Sequence, residues 1–183
     1  MPRAKLDLYE TPPHYINALL DVIDIHGRVY EPCAGKGAIA DALRKVGAVR
    51  SVITNDIDPR READLCQDAR GIHAWPNLYK FDWIVTNPPF LHEQAILTHA
   101  LHTCSNVAFL ARLSFLEPTK DRTAFWAEYR DRLAHLIVLT RYSFRRNDKG
   151  QRGSDSQTCC WLVFNDDDAE DLHLTIDGRR ADD

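Results

Sequence analysis

The chain is 183 residues long, with 44% hydrophobic and 27% charged residues, the balance of one globular domain with a substantial core. It has no apolar run of the roughly 18 residues a membrane span needs and no apolar signal region after Met1-Pro2-Arg3-Ala4-Lys5. Five cysteines, odd in number and without a CxxC pair, argue against a disulfide framework or a zinc site, so the expectation is no membrane, no metal and a reducing, cytoplasmic location. The net charge of −4 is unevenly spread: residues 166–183 hold eight acidic residues against Arg179 and Arg180, a net −6, which leaves +2 on residues 1–165. A mildly basic domain over 1–165 followed by an acidic tail over 166–183 is compatible with a nucleic-acid partner without a strong electrostatic footprint.

In chain order, Thr11 is the expected N-cap of a helix with Pro12 and Pro13 in its first turn and Ile16, Leu19, Leu20 and Ile23 on one face, ending at Gly27. Arg28–Tyr30 is a short strand leading into Glu31-Pro32-Cys33-Ala34-Gly35-Lys36-Gly37. A helix from Ala38 to about Val46 stops at Gly47, and Ser51–Asn55 is a second strand, ending at Asp56-Ile57-Asp58-Pro59. These pieces make one βαβ unit. Residues 60–80 carry a short helix near Glu62 and a short third strand, with Asp68 in the turn between them.

A strand over Phe81–Thr86 comes next, then a helix over His92–Thr103, a strand over Asn106–Leu113 and a helix opened by Pro118 and running to about Arg132. His135–Thr140 is a further strand, Arg141–Asp155 a polar loop, and Cys159–Phe164 a last apolar strand. The tail segment DLHLTID could add an edge strand or fray. Trp126 and Tyr129 read as core, and His92, His99 and His102 as surface or packing residues. Alternating strands and helices at this spacing imply an α/β, doubly wound, largely parallel sheet.

The chain is organised around FDWIVT followed by Asn87-Pro88-Pro89-Phe90. Six apolar and β-branched residues read as a strand buried on both faces. The prolines end it, because neither can donate to a neighbouring strand. Asn87, held extended before a proline, aims its amide from the carboxyl end of a central strand, where open α/β sheets bind ligands.

Gly35-x-Gly37 between strand and helix brings a ligand close to backbone amides. The loop lacks GxxxxGK[ST], so it is not a Walker A loop, and the third glycine of a dinucleotide fingerprint is replaced by Ala40. Glu31, four residues before Gly35, would repel a pyrophosphate and suit a cation. Asp56, 19 residues beyond Gly37, stands where an acid takes two ribose hydroxyls, and Asp68 could accept from an adenine amine. Each acid alone could equally be a turn or loop residue, but together they describe S-adenosylmethionine better than NAD or ATP.

On these residues the chain resembles the S-adenosylmethionine-dependent adenine methyltransferases of nucleic acid, close in style to short phage-type enzymes. The family's acidic start with paired glycines matches Glu31–Gly37, its second-strand acid Asp56, and its following acid Asp68. Its catalytic motif (Asp, Asn or Ser, then Pro-Pro and an aromatic) matches Asn87–Phe90, and its Thr-Pro element before a helix matches Thr11-Pro12, with Tyr9 upstream. Cys159–Phe164 resembles the family's last strand. The resemblance covers about residues 5–165, and its motif order is that of the Dam-like and gamma arrangements. Those longer enzymes carry a target-recognition domain for which this chain is expected to have no room.

The resemblance implies a Rossmann-like class I methyltransferase fold with an antiparallel last strand. It implies S-adenosylmethionine held by Tyr9, Thr11, Pro12, Glu31, Pro32, Cys33, Gly35, Gly37, Asp56, Ile57, Asp68 and Asn87. It implies catalysis by Asn87, Pro88, Pro89 and Phe90 on the exocyclic amine of adenine in DNA, RNA being the second possibility. If the Asn87 side-chain oxygen and the Pro88 carbonyl each accept one N–H, the amine's lone pair localises for attack, while Phe90 stacks on the extruded base. Asn87 is neutral and is no base, and Cys33 is a small loop packer rather than a catalyst.

Arg141, Arg145, Arg146, Lys149 and Arg152 against Asp148, interleaved with Tyr142 and Phe144, suit a loop closing on phosphates, although an ordinary solvated hairpin would carry the same charges. The same Asn-Pro-Pro-aromatic tip also serves enzymes acting on RNA amines or on protein glutamine. A non-catalytic methyltransferase-like subunit would tend to lose the loop glycines or the tip, and both are present. A dinucleotide-dependent oxidoreductase would leave the tip without a role.

Overall fold

The computed structural model describes residues 10–76, 81–141, 157–166 and 171–178. Its frame is a seven-stranded sheet of order β2-β1-β3-β4-β6-β5-β7. The strands are β1 (Gly27–Glu31), β2 (Val49–Thr54), β3 (Trp83–Thr86), β4 (Val107–Arg112), β5 (Leu133–Val138), β6 (Cys159–Phe164) and β7 (His173–Ile176). All neighbouring pairs are parallel except those made by β6, which runs antiparallel to both β4 and β5. The tail segment that could have frayed instead supplies β7, in register with β5 from His135↔His173 to Val138↔Ile176.

The helices are α1 (Pro13–Leu20), α2 (Ala38–Leu43), α3 (Glu93–Thr103) and α4 (Lys120–Tyr129). Successive residues of a central strand face opposite layers. Val29 and Val85 join Leu19, Ile39 and Leu43 in one core, while Tyr30 and Ile84 join Ile96, Leu97 and Phe125 in the other. That two-sided burial is why the central strands read as unbroken apolar runs. Tyr129 is buried, and Trp126 packs half-buried against the same core. His99 stacks on Trp75 at 5.7 Å, and His102 Nε2 lies 2.8 Å from Tyr129 Oη, so both pack as expected.

Three expectations are corrected. α1 stops at Leu20 rather than at Gly27: with Asp21 and Asp24 unfavourable at a helix C-terminus, Ile23 and Ile25 reach the core on non-helical backbone. α2 stops at Leu43, and the chain continues to Val46 in tighter turns, with Lys45 and Val46 N–H donating to Ala42 and Leu43 carbonyls. The short third strand expected after Asp68 is absent from the described residues 69–76, which carry a single tight turn over Ile72–Ala74, and residues 77–80 lie outside the described residues. Just after β2, Asn55 and Leu65 make an isolated bridge, and Asp64 accepts from the Thr54 N–H and hydroxyl at 2.8 Å.

Candidate functional site

The chain moves from β1 outward to β2, then crosses back to β3 on the other side of β1, so the crevice lies at the carboxyl ends of β1 and β3. The loop after β1 turns through Gly35 (φ +56°) and Gly37 (φ +86°), left-handed conformations that glycine adopts without strain. A Cβ at Gly35 would meet nothing within 4 Å, so the space beside it is open.

Asp56 fixes this loop to the end of β2. Its Oδ2 accepts the Gly35 N–H at 2.8 Å and its Oδ1 accepts the Asp58 N–H at 2.8 Å. A carboxylate offers about four acceptor sites, so the two bonds leave capacity for further donors. Asn55, fully buried, is a site-forming residue that sequence reasoning missed. Its amide donates to the Pro32 carbonyl at 2.8 Å and to the Gln67 carbonyl at 3.0 Å, and accepts the Gln67 N–H at 2.9 Å. One side chain thus joins the loop after β1 to the turn holding Asp68.

Glu31 ends β1 at 1% exposure. Burial pushes its carboxyl well above the usual range, and Oε2 has no hydrogen-bond partner. Cys33 is half-buried, and its thiol is pushed up first by burial and then by the Asp56 charge, which favours the protonated form near neutrality. Ile57 is an apolar side chain left 48% exposed beside Asp56. Asp58 is held down to about 2, first by hydrogen bonding to Arg60. Asp68 is paired with Arg70 at 2.5 Å, and the Arg70 guanidinium approaches His92 Nε2 at 3.5 Å. The Asp68 turn therefore lies next to the segment after β3.

There Asn87 and Pro89 are half-buried, and Pro88 and Phe90 buried. The Asn87 Nδ2 donates to Thr11 Oγ1 at 3.0 Å. Thr11 is thus not the cap of α1: the N-cap position is Pro12, without a side-chain bond, and the buried Thr11 hydroxyl serves a residue far away in sequence. Lys36 pairs with Glu10 at 3.1 Å, so the segment 10–12 lies against both the glycine loop and the Asn87 tip. Tyr15 Oη donating to the Thr140 carbonyl at 2.7 Å and Trp161 Nε1 donating to the Tyr15 carbonyl at 2.8 Å anchor α1 behind it. Tyr9 lies outside the described residues.

A charged cluster at the end of β4 had no signature in the sequence beyond three separate polar residues. Glu93, 2% exposed, meets Arg122 at 3.2 Å and Arg112 at 3.8 Å. Burial raises its carboxyl, and the two guanidiniums pull it back. The Arg112 guanidinium lies over the Phe90 ring, 5.1 Å from its centroid. Arg141 is exposed just beyond β5, on the same side of the sheet, whereas Arg145, Arg146, Lys149 and Arg152 fall outside the described residues. Among the described residues no group of three or more His, Cys, Asp or Glu side chains is placed to hold a metal ion, and no helix is long and apolar enough to cross a membrane. A cavity of about 410 Å³ between Phe81, Cys104 and Arg132 opens at the opposite, amino ends of β3 and β4 and is separate from this crevice.

No protein-family model and no curated protein matches the sequence. Solved structures do. A chain described as an RNA methyltransferase from Pyrococcus horikoshii is similar over 90% of this chain and 91% of its own, at 17% identity and a TM-score of 0.58. A chain described as a modification subunit of a type I restriction enzyme from Vibrio vulnificus is similar over 93% of this chain, at 14% identity and a TM-score of 0.63; this chain spans 48% of its length. The E. cuniculi Mtq2–Trm112 complex, responsible for methylation of the eRF1 termination factor, has a chain similar over 87% of this one and 98% of its own, at 16% identity and a TM-score of 0.52. One scaffold thus recurs in chains described as an RNA methyltransferase, a restriction-enzyme modification subunit and part of a complex that methylates a termination factor. The mixed sheet, its single antiparallel strand β6 and these likenesses together establish a Rossmann-like, class I methyltransferase fold.

Proposed function

We propose that the protein transfers a methyl group from S-adenosylmethionine to the exocyclic amino group of adenine in DNA, with the base extruded into a pocket at Asn87–Phe90. The observation that carries this reading is the Asn87 amide, whose nitrogen is committed to Thr11 at 3.0 Å. With the nitrogen turned to Thr11, the acceptor oxygen is the end that would meet a substrate amine. Together with the Pro88 carbonyl it takes the two amine hydrogens, so the nitrogen turns tetrahedral and its lone pair localises. Asn87 works by position and electrostatics, and the proton leaves to water.

The residues present fit the cofactor. The buried Glu31 Oε2 without a partner favours a nearby cation, the open space at Gly35 admits a ligand against the backbone, and exposed Ile57 offers an apolar surface beside Asp56. Asp56 would take the ribose hydroxyls, and Thr11, Pro12 and the loop Glu31–Gly37 would hold the methionine end. When bound, the cofactor supplies an electrophilic methyl on a positive sulfur. Arg141, with the basic residues that follow it in sequence, would meet the phosphate backbone.

The test is transfer from labelled S-adenosylmethionine to unmethylated duplex DNA, total RNA and a protein extract. Label on DNA is the expected result. Label on RNA or protein would keep the chemistry and overturn the substrate. No label anywhere, with the cofactor still bound, would identify a non-catalytic subunit.

A further inference from the structure

One face of the Phe90 ring, the side chain proposed to stack on a base, already has an occupant. The Arg112 guanidinium lies over that ring, 5.1 Å from its centroid, and a guanidinium is a flat cation of a size that stacks on aromatic faces as a base does. Phe90 is left only 8% exposed. Arg112 is nonetheless poorly satisfied where it is. Its Nε is buried without a hydrogen-bond partner, and its nearest carboxylate oxygen, Glu93 Oε1, stands at 3.8 Å, beyond hydrogen-bond range. Glu93 is shared between two cations: Arg122 holds the same oxygen at 3.2 Å and is itself fixed over Phe115 and to the Ser114 carbonyl. When the Arg112 guanidinium moves off the ring, Glu93 therefore still keeps one cation within 3.2 Å.

We propose that Arg112 is a substrate-selecting residue of this pocket, one that covers Phe90 in the free protein and yields the ring to an incoming nucleobase while giving its N–H donors to that nucleotide's phosphate. The inference rests on the methyltransferase reading of Asn87–Phe90 and narrows its substrate to a nucleotide. Displacing Arg112 requires a ligand with both a π-face for Phe90 and an anionic oxygen for the guanidinium fork. A nucleotide in a strand has both, whereas a glutamine side-chain amide has neither.

Three probes test this: deoxyadenosine 5′-monophosphate, deoxyadenosine and N-acetylglutamine amide. Each is titrated into wild type, Arg112→Ala and Arg112→Lys, with and without S-adenosylhomocysteine, and followed by ligand-observed NMR. Wild type is expected to bind the monophosphate about tenfold more tightly than the nucleoside, the increment of a charge-assisted phosphate contact. It should show no binding of the amide. Arg112→Ala, with the guanidinium removed from the ring, should bind deoxyadenosine more tightly than wild type and lose the phosphate increment. Arg112→Lys, which keeps the charge without the flat group, should gain nucleoside affinity and keep most of the increment. A phosphate increment absent in wild type, or unchanged in Arg112→Ala, overturns the proposal; if Arg112→Ala does not fold, an unchanged nucleoside affinity in Arg112→Lys does so. Failure of S-adenosylhomocysteine to bind wild type would sink the methyltransferase reading instead, separately from the nucleotide ratios.

Discussion

Replacing Asp56 by Asn tests the architecture of the crevice without reference to any substrate. The Asp56 carboxylate accepts two backbone N–H groups at 2.8 Å, from Gly35 and Asp58. Asparagine keeps one acceptor oxygen and turns an N–H donor toward the other amide, so one charge-assisted bond is lost and one buried N–H is stranded. Hydrogen bonds to charged groups are worth about 1.5–3 kcal/mol each. For a chain of this length, that corresponds to a fall in Tm of about 3–12 °C. Differential scanning calorimetry reads the stability. Titration with S-adenosylhomocysteine, which offers the same ribose hydroxyls, should show weaker binding beyond what the lost stability explains. An Asp56→Asn variant that melts with wild type would refute the claim that this carboxylate holds the glycine loop in place.

Gly27→Ala should lower Tm markedly, because φ is +71° and a Cβ there would collide with the Asp82 carboxylate that accepts the Arg28 N–H at 2.7 Å. The left-handed backbone alone costs about 1–2 kcal/mol, so a loss of under 2 °C would contradict the geometry. Glu31→Gln should move stability and affinity in opposite directions. Burial raises the folded-state pKa of Glu31 above its unfolded value, so wild type loses stability as pH rises from the carboxylate range through that raised value, and Gln does not. Melting curves from pH 5 to 9 should therefore show the variant gaining on wild type while its affinity for S-adenosylmethionine falls; parallel curves would remove the premise. Thr11→Val leaves the Asn87 nitrogen without its 3.0 Å acceptor, and freeing the amide by about 1.4 kcal/mol should lower kcat about tenfold. Steady-state kinetics with unchanged kcat would mean that Thr11 does not orient the amide.

Most of the frame was legible because central strands buried on both faces leave unbroken apolar runs, such as FDWIVT and CCWLVF, that no helix period fits. The paired glycines and the Asn-Pro-Pro-Phe tip were legible for a different reason: each is a local backbone requirement written in adjacent residues. What escaped lay in pairings across the chain. Thr11 has the composition and place of an N-cap, yet its hydroxyl goes to Asn87, 76 residues away. The segment after β2 is tied down by side-chain bonds of Asp64 and Asn55 that nothing in their spacing announces. Arg112 lies inside the expected strand Asn106–Leu113 with nothing to single it out; only the β3–β4 pairing, with Thr86 opposite Phe109, carries it to Phe90.

The central claim is that Asn87 orients an adenine amine for methyl transfer. Its most direct test is nucleoside mass spectrometry of DNA from methylation-deficient cells expressing the wild-type chain or Asn87→Ala, with cofactor binding of both proteins measured alongside. The account predicts N6-methyladenine with wild type and none with the variant, at similar cofactor affinity. N6-methyladenine at equal levels with both chains would contradict it.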